Sequence, residues 1–285
     1  MIEAKDLITE RKPTWCPGCG NFGILTALRA GIALAGLDPK DTVIVSGIGC
    51  SSKIPHYVKT YGFEGIHGRI LPVATGIKLA NNRLAVIGSG GDGDGYGIGM
   101  GHFMHAMRRN LDITYIVHNN QIYGLTKGQY SPTSDQGFKT KSSPLGSIEP
   151  PVNPITLAII GGATFVSRGF VGKLEHLKSL VAQAIKHKGF SLVDILQPCV
   201  TFNYKNTYQW YSQRVYMLEE DGYKPDDRMK ALTKGEEWGD KIPLGVFYQV
   251  QKPTYEDNLP QIKDVPLVFQ KIEDVDIRKV MEEFV

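Results

Sequence analysis

The chain has 285 residues and a formal net charge of +3, enough length to bury a full core as one large domain or two small ones. The charge is too small to imply a nucleic-acid partner, and no apolar run reaches the length of a membrane span. Residues 1–6 lack the basic-then-apolar layout of a signal peptide, which predicts a cytoplasmic globular protein.

In chain order, residues 21–36 place Ile24, Leu25, Leu28, Ile32 and Ala35 near helical spacing and predict a helix. Residues 42–46 form a short apolar strand that runs into Gly47-Ile48-Gly49-Cys50-Ser51-Ser52. A helix is expected over 71–80, a strand over 83–87, a helix over 102–109 and a strand over 113–117. His102, His105, Arg108 and Arg109 mark a helix surface without a catalytic role. Residues 124–152 are rich in Gly, Ser, Thr and Pro and read as one long loop. A loop of that length in a compact domain is usually functional or covered by a partner.

A helix over 154–160 and a strand over 163–167 follow. The clearest amphipathic helix spans 173–188, with Leu174, Leu177, Leu180, Val181, Ala184 and Ile185 on one face. The strand at 191–196 ends in Gln197-Pro198-Cys199. Strand alternating with helix predicts an α/β domain over 1–202, a mainly parallel sheet flanked by helices. Beyond 202 the pattern weakens to short apolar stretches such as 244–250. Residues 203–285 read as a C-terminal arm that packs on the core or on a partner subunit, with a small second domain as the alternative. No internal repeat is present.

Two polar clusters follow apolar strands. Gly88-Ser89-Gly90-Gly91-Asp92-Gly93-Asp94-Gly95 comes after 83–87, and Asn119-Asn120 comes after 113–117. Open parallel sheets bind ligands beyond the carboxyl ends of their strands. Glycines let a backbone approach a diphosphate closely, and Asp and Asn supply the hard oxygens that suit Mg²⁺. Gly88-x-Gly90-x-x-Gly93 also matches a nicotinamide fingerprint. That fold wants an acidic residue at the end of the next strand, where Asn119-Asn120 stand instead. A merely flexible glycine loop would leave two Asp residues beside a buried strand without a partner.

The arrangement resembles the thiamine-diphosphate motif, a Gly-Asp-Gly followed by Asn-Asn at a spacing that Asp92 and Asn120 match. The resemblance implies Asp92, Asn120 and the backbone carbonyl of Ile122 as Mg²⁺ ligands, with diphosphate oxygens and a water completing the octahedron.

The four cysteines are Cys16, Cys19, Cys50 and Cys199. The first two form a Cys-x-x-Cys turn, and each of the others follows a predicted strand. Four thiols converging at a ligand edge suggest a tetrahedral metal site or an iron–sulfur cluster. Disulfides do not suit a chain without a secretory signal, and a redox Cys-x-x-Cys usually opens a helix straight after a strand. Structural zinc fits the thiols as well as a cluster does.

A wider set of motifs resembles the β subunit of small archaeal-type 2-oxoacid:ferredoxin oxidoreductases. It comprises Trp15-Cys16-Pro17-Gly18-Cys19-Gly20, Gly47-Ile48-Gly49-Cys50-Ser51, His67-Gly68-Arg69, Leu71-Pro72-Val73-Ala74-Thr75-Gly76, Gly91-Asp92-Gly93-Asp94-Gly95, Gly101-His102, Tyr123-Gly124-Leu125-Thr126-Lys127-Gly128-Gln129 and Cys199. The resemblance spans residues 15 to 202 and implies a thiamine-diphosphate-binding fold. It implies coenzyme A-dependent oxidative decarboxylation of 2-oxoacids such as pyruvate or 2-oxoglutarate, with electrons passed to ferredoxin through one [4Fe–4S] cluster held by Cys16, Cys19, Cys50 and Cys199.

Cofactor contacts implied are Ile48, Gly49, Cys50, Ser51, His67, Gly68, Arg69, Gly91, Gly93, Asp94, Tyr123, Gly124, Leu125 and Thr126. Leu125 would keep the cofactor bent. Lys53 is a candidate for the substrate carboxylate, an exposed structural lysine being the alternative. Glu64 is the only acidic residue between Asp41 and Asp92, and nothing places it at the cofactor. In the family a larger α, or fused γ-α, subunit supplies the activating glutamate, so this chain alone is expected to be inactive. The competing readings are a non-redox thiamine decarboxylase subunit, which the cysteines disfavour, and a zinc-stabilised nucleotide-binding module without catalysis.

Overall fold

A computed structural model describes residues 2–284 except 272 and 274. Its strands are β1 (Thr42–Ser46), β2 (Tyr61–Glu64), β3 (Ala85–Gly91), β4 (Ile113–Asn119), β5 (Ile122–Tyr123), β6 (Gln129–Tyr130), β7 (Phe165–Phe170), β8 (Ser191–Leu196), β9 (Val215–Met217) and β10 (Ile242–Gln249). The helices that flank them are α1 (Asn21–Ala35), α2 (Ile70–Ala80), α3 (Met100–Arg109), α4 (Pro154–Gly161), α5 (Leu174–Lys186), α6 (Tyr208–Ser212) and α7 (Arg228–Gly235). Eight strands make one sheet in the order β2-β1-β3-β4-β8-β7-β10-β9, and β5 and β6 form a separate hairpin. The pairs from β2 to β7 are parallel, while β10 runs antiparallel to β7.

Side-chain alternation splits the core in two. On β4, Ile116 enters the core beneath α1 and α5, and Ile113, Tyr115 and Val117 enter the core beneath α2, α3, α4 and α7. A sheet covered on both faces needs apolar side chains pointing both ways, which is why the inner strands read as continuous apolar runs. Local signals set the helix ends. Asn153 caps α4 through its side chain with Pro154 in the first turn, and α1 stops at Gly36 in the left-handed region (φ 74°).

Topology positions the site. From β1 the chain passes over the α1–α5 face through residues 51–57, whose Ile54 and Tyr57 belong to that core, to reach β2. From β3 it passes over the opposite face through α3 to β4. Connections diverging from neighbouring strands open a crevice at their carboxyl ends, the usual ligand position in such sheets.

Several elements differ from the sequence reading. β3 continues through Gly88 to Gly91, so half of the glycine run is strand rather than loop. A Cβ at Gly88 would meet Ile70 and Tyr115, both at 2.9 Å, so glycine there is a packing requirement. β4 likewise extends to Asn119, and the strand expected at 163–167 lies at 165–170. The long loop contributes β6 to the hairpin. The apolar stretch near 244–250 is β10, whose Leu244 and Val246 join one core and Phe247 the other. Among the described residues no helix is long and apolar enough to cross a membrane.

Candidate functional site

A cavity of about 320 Å³ opens at the crevice between β1 and β3. Its walls are residues 48–51 after β1, 91–94 at the end of β3, Asn120 and 122–126 after β4, and His67. Twelve of the fourteen expected cofactor contacts lie on this wall together with Asp92, Asn120 and Ile122. Gly68 and Arg69 stand behind it. The Gly68 N–H donates to Asp94 Oδ1 at 2.8 Å, and Arg69 precedes α2 with its guanidinium 3.4 Å from the Gly68 carbonyl.

Both aspartates are almost wholly buried, and they differ in how they are held. Asp94 Oδ1 accepts from the Ile48 N–H, the Gly68 N–H and His67 Nδ1, so it ties three segments of the wall together. Asp92 Oδ2 accepts from the hydroxyls of Ser131 and Thr133. These two hydroxyls bond Oδ2, and the backbone N–H groups of Asp92 and Asn120 also favour the ionised carboxylate. Burial pushes the Asp92 carboxyl above its usual range, against the lowering effect of the Ser131 and Thr133 hydroxyls. A cation at Oδ1 would offset that desolvation.

The two asparagines have opposite roles. Asn119 faces inward, where its amide donates to both oxygens of Asp194 (3.1 and 3.2 Å) and its Oδ1 lies 3.0 Å from the Thr133 hydroxyl. Asn120 lies on the cavity wall; its Oδ1 accepts from the Ile122 N–H at 3.1 Å and keeps a second lone pair. Gln121 between them is buried at φ 56°, a left-handed conformation uncommon for a residue with a side chain. Its amide donates to the Thr133 carbonyl at 2.6 Å, and its Oε1 accepts from the Tyr211 hydroxyl at 3.2 Å. These bonds hold the turn that presents Asn120 and Ile122 on the same wall as Asp92.

A second cavity of about 230 Å³ is lined by all four cysteines. Parallel strands bring them there: Cys50 follows β1, Cys199 follows β8, and Cys16 and Cys19 form the turn before α1. The turn is closed by the Cys19 N–H on the Cys16 carbonyl (3.0 Å), with Gly18 at φ 80°. Trp15 Nε1 donates to the Cys50 carbonyl at 2.6 Å, and the Gly20 N–H donates to the Pro198 carbonyl at 3.3 Å. These two bonds tie the first segment to the other two. Burial raises the Cys19 thiol to about 11, with a smaller effect from the nearby Cys199, Cys50 and Cys16, and burial also raises the Cys50 thiol. Among the described residues no three His, Cys, Asp or Glu side chains are grouped tightly enough to hold a single ion. Cys50, Asn120, Gly124 and Leu125 line both cavities, so the two adjoin.

Lys53 is half-buried on the cysteine cavity, its Nζ donating to the Thr14 hydroxyl at 3.0 Å. Glu64 lies exposed on β2, 3.0 Å from His56, away from both cavities. His102 is half-buried and His105, Arg108 and Arg109 are exposed or nearly so on α3.

Residues 47–195 match the model of the thiamine pyrophosphate enzyme C-terminal TPP-binding domain. Residues 199–264 match the model of the C-terminal part of the pyruvate ferredoxin oxidoreductase β chain. The chain is 50% identical over 293 aligned residues to the 2-oxoacid:ferredoxin oxidoreductase subunit beta of Saccharolobus solfataricus, covering 94% of this chain and 95% of that one. The chain belongs to the 2-oxoacid:ferredoxin oxidoreductase β-subunit family. A 2-oxoglutarate synthase subunit of Archaeoglobus fulgidus is 44% identical over 239 residues, 84% of this chain and 82% of its own. Among solved structures, the 2-oxoglutarate:ferredoxin oxidoreductase from Magnetococcus marinus with 2-oxoglutarate, coenzyme A and succinyl-CoA bound superposes with a TM-score of 0.91 and 39% identity. That match covers 99% of this chain and 96% of that one. The family is one of oxidoreductases.

Sequence reasoning missed four residues of this β-subunit site. Ser131 and Thr133 hold Asp92 from within the long loop, Gln121 holds the turn after β4, and Gln197, on the cysteine cavity, accepts from Asn120, which lines both cavities. A polar residue in a polar loop gives no periodicity to detect, and only the strained φ marks Gln121.

Proposed function

We propose that this chain is the thiamine-diphosphate- and cluster-binding half of a cytoplasmic, coenzyme A-dependent 2-oxoacid:ferredoxin oxidoreductase. The observation that carries the proposal is the shared wall: four residues separate a cavity suited to a magnesium diphosphate from one lined by four cysteines. Asp92 Oδ1, Asn120 Oδ1 and the Ile122 carbonyl would hold Mg²⁺, an all-oxygen set that suits this cation. The four cysteine sulfurs would hold a [4Fe–4S] cluster. When bound, the thiamine cofactor supplies the electron sink for 2-oxoacid decarboxylation and the cluster supplies one-electron transfer.

The chain's own residues would then bind and orient. His67, held by Asp94, brings an imidazole to the diphosphate side of the wall. Leu125, half exposed on the shared wall, would press the cofactor into its bent form. Lys53 would offer a cation to the substrate carboxylate, with 2-oxoglutarate among the substrates. Lys53→Met should raise KM for 2-oxoacids about tenfold, as expected on losing an ion pair worth a little over ~1 kcal/mol, with a different effect on dicarboxylates than on pyruvate. Unchanged steady-state kinetics for both would assign Lys53 to its Thr14 contact alone.

The carboxylates on the cofactor cavity wall are Asp92, which accepts from the hydroxyls of Ser131 and Thr133, and Asp94, which accepts from two backbone N–H groups and His67. The activating glutamate would come from a larger α or fused γ-α partner. Its docking face would include the exposed Ile48 and Leu125 of the cavity wall and the exposed Ile98 beside Gly68. Reconstitution tests the whole reading: 2-oxoacid- and coenzyme A-dependent reduction of a viologen dye, or of ferredoxin, with and without the partner. Activity is expected only from the assembled pair, and full activity from this chain alone would place the glutamate within it.

A further inference from the structure

Gln197 is 1% exposed and touches both halves of the site. The orientation of its amide follows from its neighbours. Asn120 Oδ1 accepts from the Ile122 backbone N–H, so the Asn120 amide nitrogen is the group that faces Gln197 and donates to its Oε1 at 3.0 Å. Gln197 Nε2 therefore points the other way. It donates to the Pro198 carbonyl at 2.9 Å and to Cys19 Sγ at 3.6 Å. A side-chain amide carries two N–H donors and both are used, while its oxygen accepts from Asn120. The room for it comes from Gly20, where a Cβ would sit 2.7 Å from Gln197 Cγ.

We infer that Gln197 is a positioning residue that couples the two halves of the site: its carbonyl fixes the Asn120 side chain toward the magnesium position, and its N–H sets the electron demand of the cluster through Cys19. The inference rests on the function proposed above. Hydrogen bonds to cluster sulfurs stabilise the more negative reduced form and raise its potential. Partners that orient a ligand typically change metal affinity by about ten- to a hundredfold when removed. A single buried side chain performs both tasks here, whereas Asn203 links only backbone carbonyls, those of Asn120 and Cys199, each at 3.0 Å.

Two variants of the assembled enzyme separate the tasks. Gln197→Glu keeps an acceptor for Asn120 and removes the donor to Cys19. Gln197→Leu removes both. The expected results are a more negative cluster potential in both variants, read by redox titration followed by electron paramagnetic resonance. Magnesium-dependent thiamine diphosphate affinity, read by calorimetry, should fall about tenfold in the Leu variant and stay near wild type in the Glu variant. An unshifted potential in both variants, or unchanged thiamine affinity in the Leu variant, overturns the coupling. Failure of the Glu variant to incorporate iron also overturns it, because that result would assign Gln197 to cluster assembly. Iron and sulfide analysis of the wild-type enzyme keeps the two levels apart. Absence of a cluster there defeats the proposed function, whereas a cluster with an unshifted potential in the variants defeats only the inference.

Discussion

Asp92→Ala should abolish magnesium-dependent binding of thiamine diphosphate while the subunit stays folded. Asp92 is the one charged oxygen ligand in the proposed set, beside an amide oxygen and a backbone carbonyl, and hard cations depend on such charge. The loss should exceed about a hundredfold in affinity, of the order that removal of an ionised ligand from a buried site produces. The fold should survive because Asp92 contributes to no apolar core. Its removal takes one acceptor from the hydroxyls of Ser131 and Thr133, which keep Asn119, Ser134 and each other within reach, so the cost should be at most about 1 kcal/mol per buried donor, a fall of a few degrees in Tm. Calorimetric titration of the assembled variant, with a thermal melt alongside, checks both parts. Wild-type affinity would remove Asp92 from the cation site.

Replacing any one of Cys16, Cys19, Cys50 or Cys199 by Ser should bleach the visible absorbance of anaerobically purified protein or leave a cluster that oxygen destroys. A serine oxygen is harder than thiolate and does not match iron–sulfur ligation. Cys50 should be the most damaging, because it alone of the four lies on both cavities. Cys16 is the exposed member of the set, so its variant should show oxygen lability most clearly. The measurement is iron and acid-labile sulfide per chain. Three variants retaining full iron and sulfide would rule out four-cysteine ligation.

How much of the molecule is legible in its sequence depends on the kind of signal. β1 and β8 are readable to the residue because a parallel strand covered on both faces is a continuous apolar run. α5 is readable because an amphipathic helix writes its period into the sequence. The wall residues from Ile48 to Ser51, Asp92, Asn120 and 122–126 are found through the family resemblance that their motifs carry. β10 is not recognisable as a strand, because its partner β7 is far away in the chain and pairing across that distance has no local pattern.

By itself the sequence determined most of the longer helices and strands of residues 1–202, though not β2, β5 or β6, together with the family resemblance and the candidate ligating residues, because each is written in periodicity or in a short motif. Only the tertiary structure decided that half of the glycine run is strand, that Gly68 and Arg69 stand behind the wall, and that Ser131, Thr133 and Gln121 hold the candidate cation ligands. It also decided that Gln197 bonds both Asn120 and Cys19. The physical reason is that hydrogen bonds between side chains far apart in sequence depend on where the sheet delivers each strand end, and strand order is a property of the packed whole.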